Sequence, residues 1–232
     1  MKKFSLVLLG LAVSLFSPRA QSVENPMFSF THMLPSPFTL PAGRLVLGTQ
    51  FAYGLTDFLQ IGTDVFRDFY KIYNANAKVS LLDFPEYATA LTLGFEHYNY
   101  KDIDSGNPDL KVTSWQPGAV TSLEVMPYVA WFFGGHLNFS QTTLRTESIK
   151  TSGLVRGYNA ETDLSWAYNP HPKKKSMGNV LSGGVTYDFS YKIYGVGISH
   201  HWPGFHVGVH YYPNASKYKL APILAGGAVV DL

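Results

Sequence analysis

From about residue 44 to its end, the chain alternates apolar and polar positions with a period of two. Between Leu59 and Val65, Leu59, Ile61 and Val65 fall on one face and Gln60, Gly62 and Asp64 on the other. The same division separates Tyr73, Ala75, Ala77, Val79 and Leu81 from Asn74, Asn76, Lys78 and Ser80. It also separates Tyr158, Ala160, Leu164 and Trp166 from Asn159, Glu161, Asp163 and Ser165. A strand sends successive side chains to opposite faces, so the pattern predicts sheet with one oily and one wet surface. Nearly every segment reaches about nine residues or more, the length a tilted strand needs to cross a bilayer.

The expected strands run roughly over residues 26–33, 44–53, 58–66, 72–82, 87–99, 119–133, 136–145, 155–168, 179–189, 192–201, 204–212 and 220–230. This count of about twelve, with ten as the alternative, is even, so the chain starts and finishes on one side. With the first strand running outward, the inner connections are Gly54-Leu55-Thr56-Asp57, Asp83-Phe84-Pro85-Glu86, Gly134-Gly135, residues 169–178 and Pro203-Gly204. Most of these use residues that set turn dihedrals cheaply. The outward connections include 100–118 and 146–154, the longest and most polar. Pro127 falls inside the sixth strand, where its missing N–H calls for a bulge. Residues 34–43, with Pro35, Pro37 and Pro41, read as extended and non-helical.

The start of the chain has a different character. Lys2 and Lys3 precede an apolar run from Leu6 to Phe16, and Ala20-Gln21-Ser22 supplies a small-x-small cleavage pattern. The run is too short to span a membrane, so residues 1–22 are expected to be a cleaved signal peptide and 23–232 one β-barrel domain. Losing Lys2, Lys3 and Arg19 moves the formal charge from +2 to −1, which weakens any nucleic-acid reading, and no nucleic-acid partner is expected. Charged residues make up only 15%, below the roughly 25% of soluble domains, while aromatics also reach 15% and glycines number 21. Cysteine is absent, so no disulfide framework or thiolate metal site is expected.

The signal, the strand rhythm over residues 26–230 and the hairpin-like segment Tyr53-Gly54-Leu55-Thr56-Asp57-Phe58-Leu59-Gln60-Ile61-Gly62 resemble bacterial outer-membrane β-barrel proteins of the Gram-negative type. The resemblance implies an all-β, antiparallel, up-and-down transmembrane barrel in the outer membrane. Its implied partners are outer-membrane lipids and the barrel-assembly machinery. Such barrels usually end in an aromatic residue that this machinery reads, whereas this chain ends Val229-Val230-Asp231-Leu232.

On the expected inward face lie Asp64, Lys78, Glu96, Glu124, Glu161, Asp163 and Asp188, the candidates for lining a lumen and setting its charge selectivity. Tyr53, Phe58, Trp131, Trp166, Trp202 and Tyr211 are the candidate interface aromatics, because rings with a polar tip favour the headgroup level. His206 and His210 share a face but are about 13 Å apart along a strand, too far to chelate one ion. His136, Asn138 and Ser140 also share a face, but a serine about 13 Å from a histidine on one strand is beyond hydrogen-bond reach. No elbow, phosphate loop or zinc-protease motif occurs. The expectation is therefore a narrow porin-like passive channel for small polar solutes, with no cofactor, metal or catalytic residues. The alternatives are a non-conducting structural or surface-interaction barrel and, behind it, a lipid-modifying enzyme.

Overall fold

The computed structural model describes residues 36–84, 86–100, 109–145, 150–168, 179–202, 205–216 and 219–231. The expected signal, the strand at 26–33, residues 169–178, the Pro203-Gly204 turn and Leu232 lie outside this set.

Twelve antiparallel strands follow chain order: β1 (Arg44–Gly48), β2 (Gln50–Thr56), β3 (Leu59–Asp64), β4 (Ile72–Asp83), β5 (Tyr87–Tyr100), β6 (Asp109–Met126), β7 (Val129–Arg145), β8 (Lys150–Tyr168), β9 (Asn179–Asp188), β10 (Ile193–Trp202), β11 (Phe205–Tyr211) and β12 (Leu220–Asp231). A five-residue helix, α1 (Val65–Phe69), joins β3 to β4. Each strand pairs with its sequence neighbour, and β1 also pairs with β12 from Arg44↔Asp231 to Gly48↔Gly227, giving a closed barrel. Closure gives every strand a neighbour on both sides, while the N-terminal stretch of β8 runs on past the end of β9, its ladder with β9 starting at Asn159↔Asp188. We call the end holding Arg44, Asp231 and the β2–β3 turn proximal, and the opposite end distal.

Several expected boundaries are corrected: β6 begins at Asp109 and β8 at Lys150, inside the connections expected over 100–118 and 146–154, and Val65 opens α1 instead of ending a strand. The strand expected over 44–53 is a hairpin, broken at Thr49, in which Leu45 pairs with Tyr53 and Val46 with Ala52. The turn expected at Gly134-Gly135 sits instead at Pro127-Tyr128, where Tyr128 takes φ 67°, so Pro127 is outside the ladder. Gly134 and Gly135 are in mid-strand, paired to Val120 and Ala119 on one side and to Glu161 and Ala160 on the other. A Cβ on Gly134 would meet Ala119 O at 2.3 Å, and one on Gly135 would meet Asn159 O at 2.2 Å. These glycines therefore serve close backbone approach rather than a turn.

The period-two division holds around the barrel. Outward residues such as Ile61, Leu93, Leu164, Val185, Val196 and Val207 are exposed. Small or polar residues alternate with them inside: Ala88, Ala90, Ser114, Ser122, Ser165, Ser182 and Ser199 are buried. Aromatics bracket the aliphatic stretch on the outer wall. On β10, Tyr194 and Trp202 flank Val196 and Ile198, and on β11, Phe205 and Tyr211 flank Val207 and Val209, all exposed.

Candidate functional site

The proximal half of the lumen is packed. Phe132 is 0% exposed and clusters with Ala90, Val120, Ala130, Ala167 and Val180, and Phe38 packs against this cluster. Phe38 belongs to the segment 36–43, which precedes β1 and folds into the barrel. Leu40 N–H donates to Gln60 Oε1 at 2.9 Å, Ala42 N–H to Asp57 Oδ1 at 3.0 Å, and Gly43 N–H to Gly54 O at 2.9 Å. Gly54 makes room for it, since a Cβ there would lie 2.1 Å from Pro41 O. A prolyl-rich segment cannot join a ladder at every residue, so side chains and turn carbonyls satisfy its remaining backbone groups. The proline pattern showed an extended segment, but nothing local in it pointed to the lumen.

The seven candidate lumen residues all stand on inward positions, yet they do not line one common path. Lys78, buried, donates from Nζ to Ser36 O at 2.9 Å and so holds the inserted segment. Arg67 of α1 bonds Glu96 and lies 3.8 Å from Asp64, so one cation offsets part of the charge of two acids near the distal mouth. Arg67 escaped the sequence reading because its position on a helix obeys no strand parity. Asp188 caps the β9–β10 turn, its Oδ1 accepting from Ser190 N–H at 2.8 Å and Tyr191 N–H at 2.9 Å. Glu161 accepts from Asn159 Nδ2 at 3.2 Å. Asp163 is 2% exposed on β8, and Glu124 is half-buried near the proximal end of β6.

Beyond the packed half, the distal lumen opens into a cavity of about 280 Å³. Tyr98, His136, Asn138, Thr142, Asp188 and Tyr191 are among its lining residues, and Leu110, Val112 and Val155 add apolar wall. Two hydrogen-bonded chains stiffen it. Ser140 Oγ donates to Asn138 Oδ1 at 2.7 Å and is 2.7 Å from Ser114 Oγ. Asn159 Oδ1 accepts the His136 backbone N–H at 3.1 Å, so its Nδ2 must face His136 Nε2, also at 3.1 Å. That nitrogen therefore accepts, which in a neutral ring leaves Nδ1 as the donor. The serine and the histidine of this face are thus bonded to other partners. Tyr212, just past β11, turns toward the lumen with its hydroxyl 3.2 Å from His210 Nδ1. Burial lifts its phenol pKa above the ordinary value, and the Glu161 carboxylate adds to the shift.

His201 and His206 approach across the β10–β11 hairpin, their rings stacked at 3.9 Å. Ser199 Oγ is 3.2 Å and Ser182 Oγ 3.5 Å from His201 Nε2. These residues are all buried in the proximal lumen. Among the described residues, no group of three or more His, Asp or Glu side chains is placed to hold a metal ion.

Of the candidate interface aromatics, Trp131, Trp166 and Trp202 stand exposed toward the proximal end and Tyr211 toward the distal end. Tyr53 and Phe58 are half-buried near the proximal end. No helix among the described residues is long and apolar enough to cross a membrane. Compared with known proteins, the chain matches no family model, no curated protein and no solved structure.

Proposed function

We propose that this chain is an integral outer-membrane β-barrel that is non-conducting in this conformation, closed at its proximal end by its own segment 36–43. One observation carries the occlusion: Ser36 is 0% exposed inside the barrel while Phe38 packs on the Phe132 cluster. The membrane assignment is supported by the outer wall, where exposed aliphatic positions form a band with tryptophan and tyrosine near its ends. In water such a surface would far exceed the apolar patch a soluble monomer carries, whereas lipid accepts it. The partners in this reading are outer-membrane lipids and the barrel-assembly machinery. Catalysis is not part of it: the serine–histidine contacts that form, at His201, are buried in the packed half.

A second reading, a narrow passive channel for small polar solutes, is favoured by how the segment is held. Its polar contacts with the barrel include those to Gln60, Asp57, Gly54 and Lys78, and breaking these unpairs no strand. Planar-bilayer recording of refolded protein separates the two. The occluded barrel is silent, and Gly54→Val, which displaces the segment, makes it conduct. A stable open conductance from the unaltered chain would overturn the occluded reading in favour of the channel.

A further inference from the structure

We infer that the distal cavity is a binding site for a small neutral polyhydroxylated ligand, of the class of a single sugar ring. The inference does not depend on whether the barrel conducts. At about 280 Å³ the cavity lies at the small end of ligand sites, which run from roughly 300 to 1,000 Å³. Its size suits one ring rather than a chain or a lipid tail.

The lining chemistry narrows the class. Among the described lining residues Asp188 is the only carboxylate, and none is a lysine or arginine. A phosphate, sulfate or carboxylate ligand would find among these described residues no lysine or arginine to pair with and one carboxylate to oppose it. What the wall offers is neutral hydrogen-bonding groups with capacity to spare. Asn138 uses Oδ1 to accept from Ser140, while its Nδ2 has no partner among the described residues. The Thr142 hydroxyl adds a further donor and acceptor to the wall, and Asp188, whose Oδ1 serves the turn, adds a carboxylate that also interacts with His136. Planar amide, carboxylate and hydroxyl groups suit adjacent ring hydroxyls, each of which donates and accepts at once. Tyr98 and Tyr191, with Leu110 and Val112, supply apolar surface for the C–H face of such a ring.

Pre-organisation supports the same conclusion. The Ser114–Ser140–Asn138 chain and the His136–Asn159–Glu161 chain fix the polar groups before a ligand arrives. Less ordering entropy is then lost on binding.

The test is isothermal titration of the refolded full chain in amine-oxide micelles, because maltoside or glucoside detergents would present competing sugars. The titrants are D-glucose, D-galactose and N-acetylglucosamine, with D-glucuronate as the anionic control. We expect saturable millimolar binding of at least one neutral sugar, and glucuronate weaker than glucose. Asn138→Leu and Tyr98→Ala should each weaken binding by about tenfold with unchanged heat-modifiable gel migration. Should Asn138→Leu fail to refold, Thr142→Val takes its place. No saturable binding by any of the three neutral sugars, preference for glucuronate, or binding indifferent to the variants would overturn the site. None of these results bears on the occlusion, which is read by conductance.

Discussion

Lys78 and Ser36, 42 positions apart in sequence, meet inside the barrel: the lysine Nζ donates to the serine carbonyl at 2.9 Å, and both residues are buried. A buried carbonyl with no strand partner must find a donor elsewhere. The long side chain of Lys78 reaches from the wall of β4 to supply it.

That bond predicts the behaviour of Lys78→Met, which keeps the bulk of the side chain and removes the donor. Leaving the Ser36 carbonyl unsatisfied should cost about 1–3 kcal/mol. The urea-unfolding midpoint of refolded protein in micelles measures it. A midpoint equal to that of the parent protein would mean the contact contributes nothing.

Gly54→Ala should displace segment 36–43 while leaving the barrel paired, because its Cβ would fall 2.1 Å from Pro41 O and 2.6 Å from Leu40 O, both backbone atoms. The chain has no cysteine, so Ser36→Cys provides a single reporter thiol. We expect slow maleimide labelling in the Ser36→Cys protein and fast labelling once Gly54→Ala is added. Equal rates in the two proteins would place the segment outside the lumen.

The outer wall makes a spectroscopic prediction. Trp115, Trp131, Trp166 and Trp202 are all outward and between 42% and 51% exposed. In bilayers, brominated lipids should quench their fluorescence strongly. Reduction to Trp131, Trp166 and Trp202 should favour bromine near the headgroup over bromine at the chain end. Dominant quenching by aqueous iodide would contradict the membrane assignment. In the same bilayers, Leu164→Arg or Val196→Arg should destabilise the fold by roughly 2–4 kcal/mol if those positions lie at the midplane.

Arg67 should govern charge at the distal mouth. It bonds Glu96 and approaches Asp64, and an exposed pair of this kind holds about 0–1 kcal/mol of stability. Arg67→Gln should therefore leave the unfolding midpoint nearly unchanged. In the Gly54→Val background, where conduction is expected, it should shift the reversal potential in a salt gradient toward cations by freeing two carboxylates. An unchanged potential would mean that these acids do not face the ion path.

Which face each side chain takes was legible from the sequence because strand parity is a local property of the backbone. Asp64, Lys78, Glu96, Glu161, Asp163 and Asp188 needed only their neighbours in the chain to be placed inward, and Trp131, Trp166, Trp202 and Tyr211 outward. Turn positions were less legible, for a related reason. The inward residues are even-numbered on both β1 and β2, and again on both β6 and β7, so the alternation runs through each hairpin without a break. Local composition then drew the β6–β7 turn to Gly134-Gly135, whose lack of a side chain serves close strand approach instead.

What fills the barrel was decided by tertiary structure alone. The segment 36–43 enters the lumen through contacts with Gly54, Asp57, Gln60 and Lys78, residues well separated from it in the chain. Arg67 reaches Glu96 across 29 positions, and Asn138 joins Ser140 and Ser114 across a strand pair. The period-two pattern says that an inward face is polar or small. Whether that face meets water, another side chain or the chain's own leading segment depends on how the closed sheet brings distant strands together, and no local pattern encodes it.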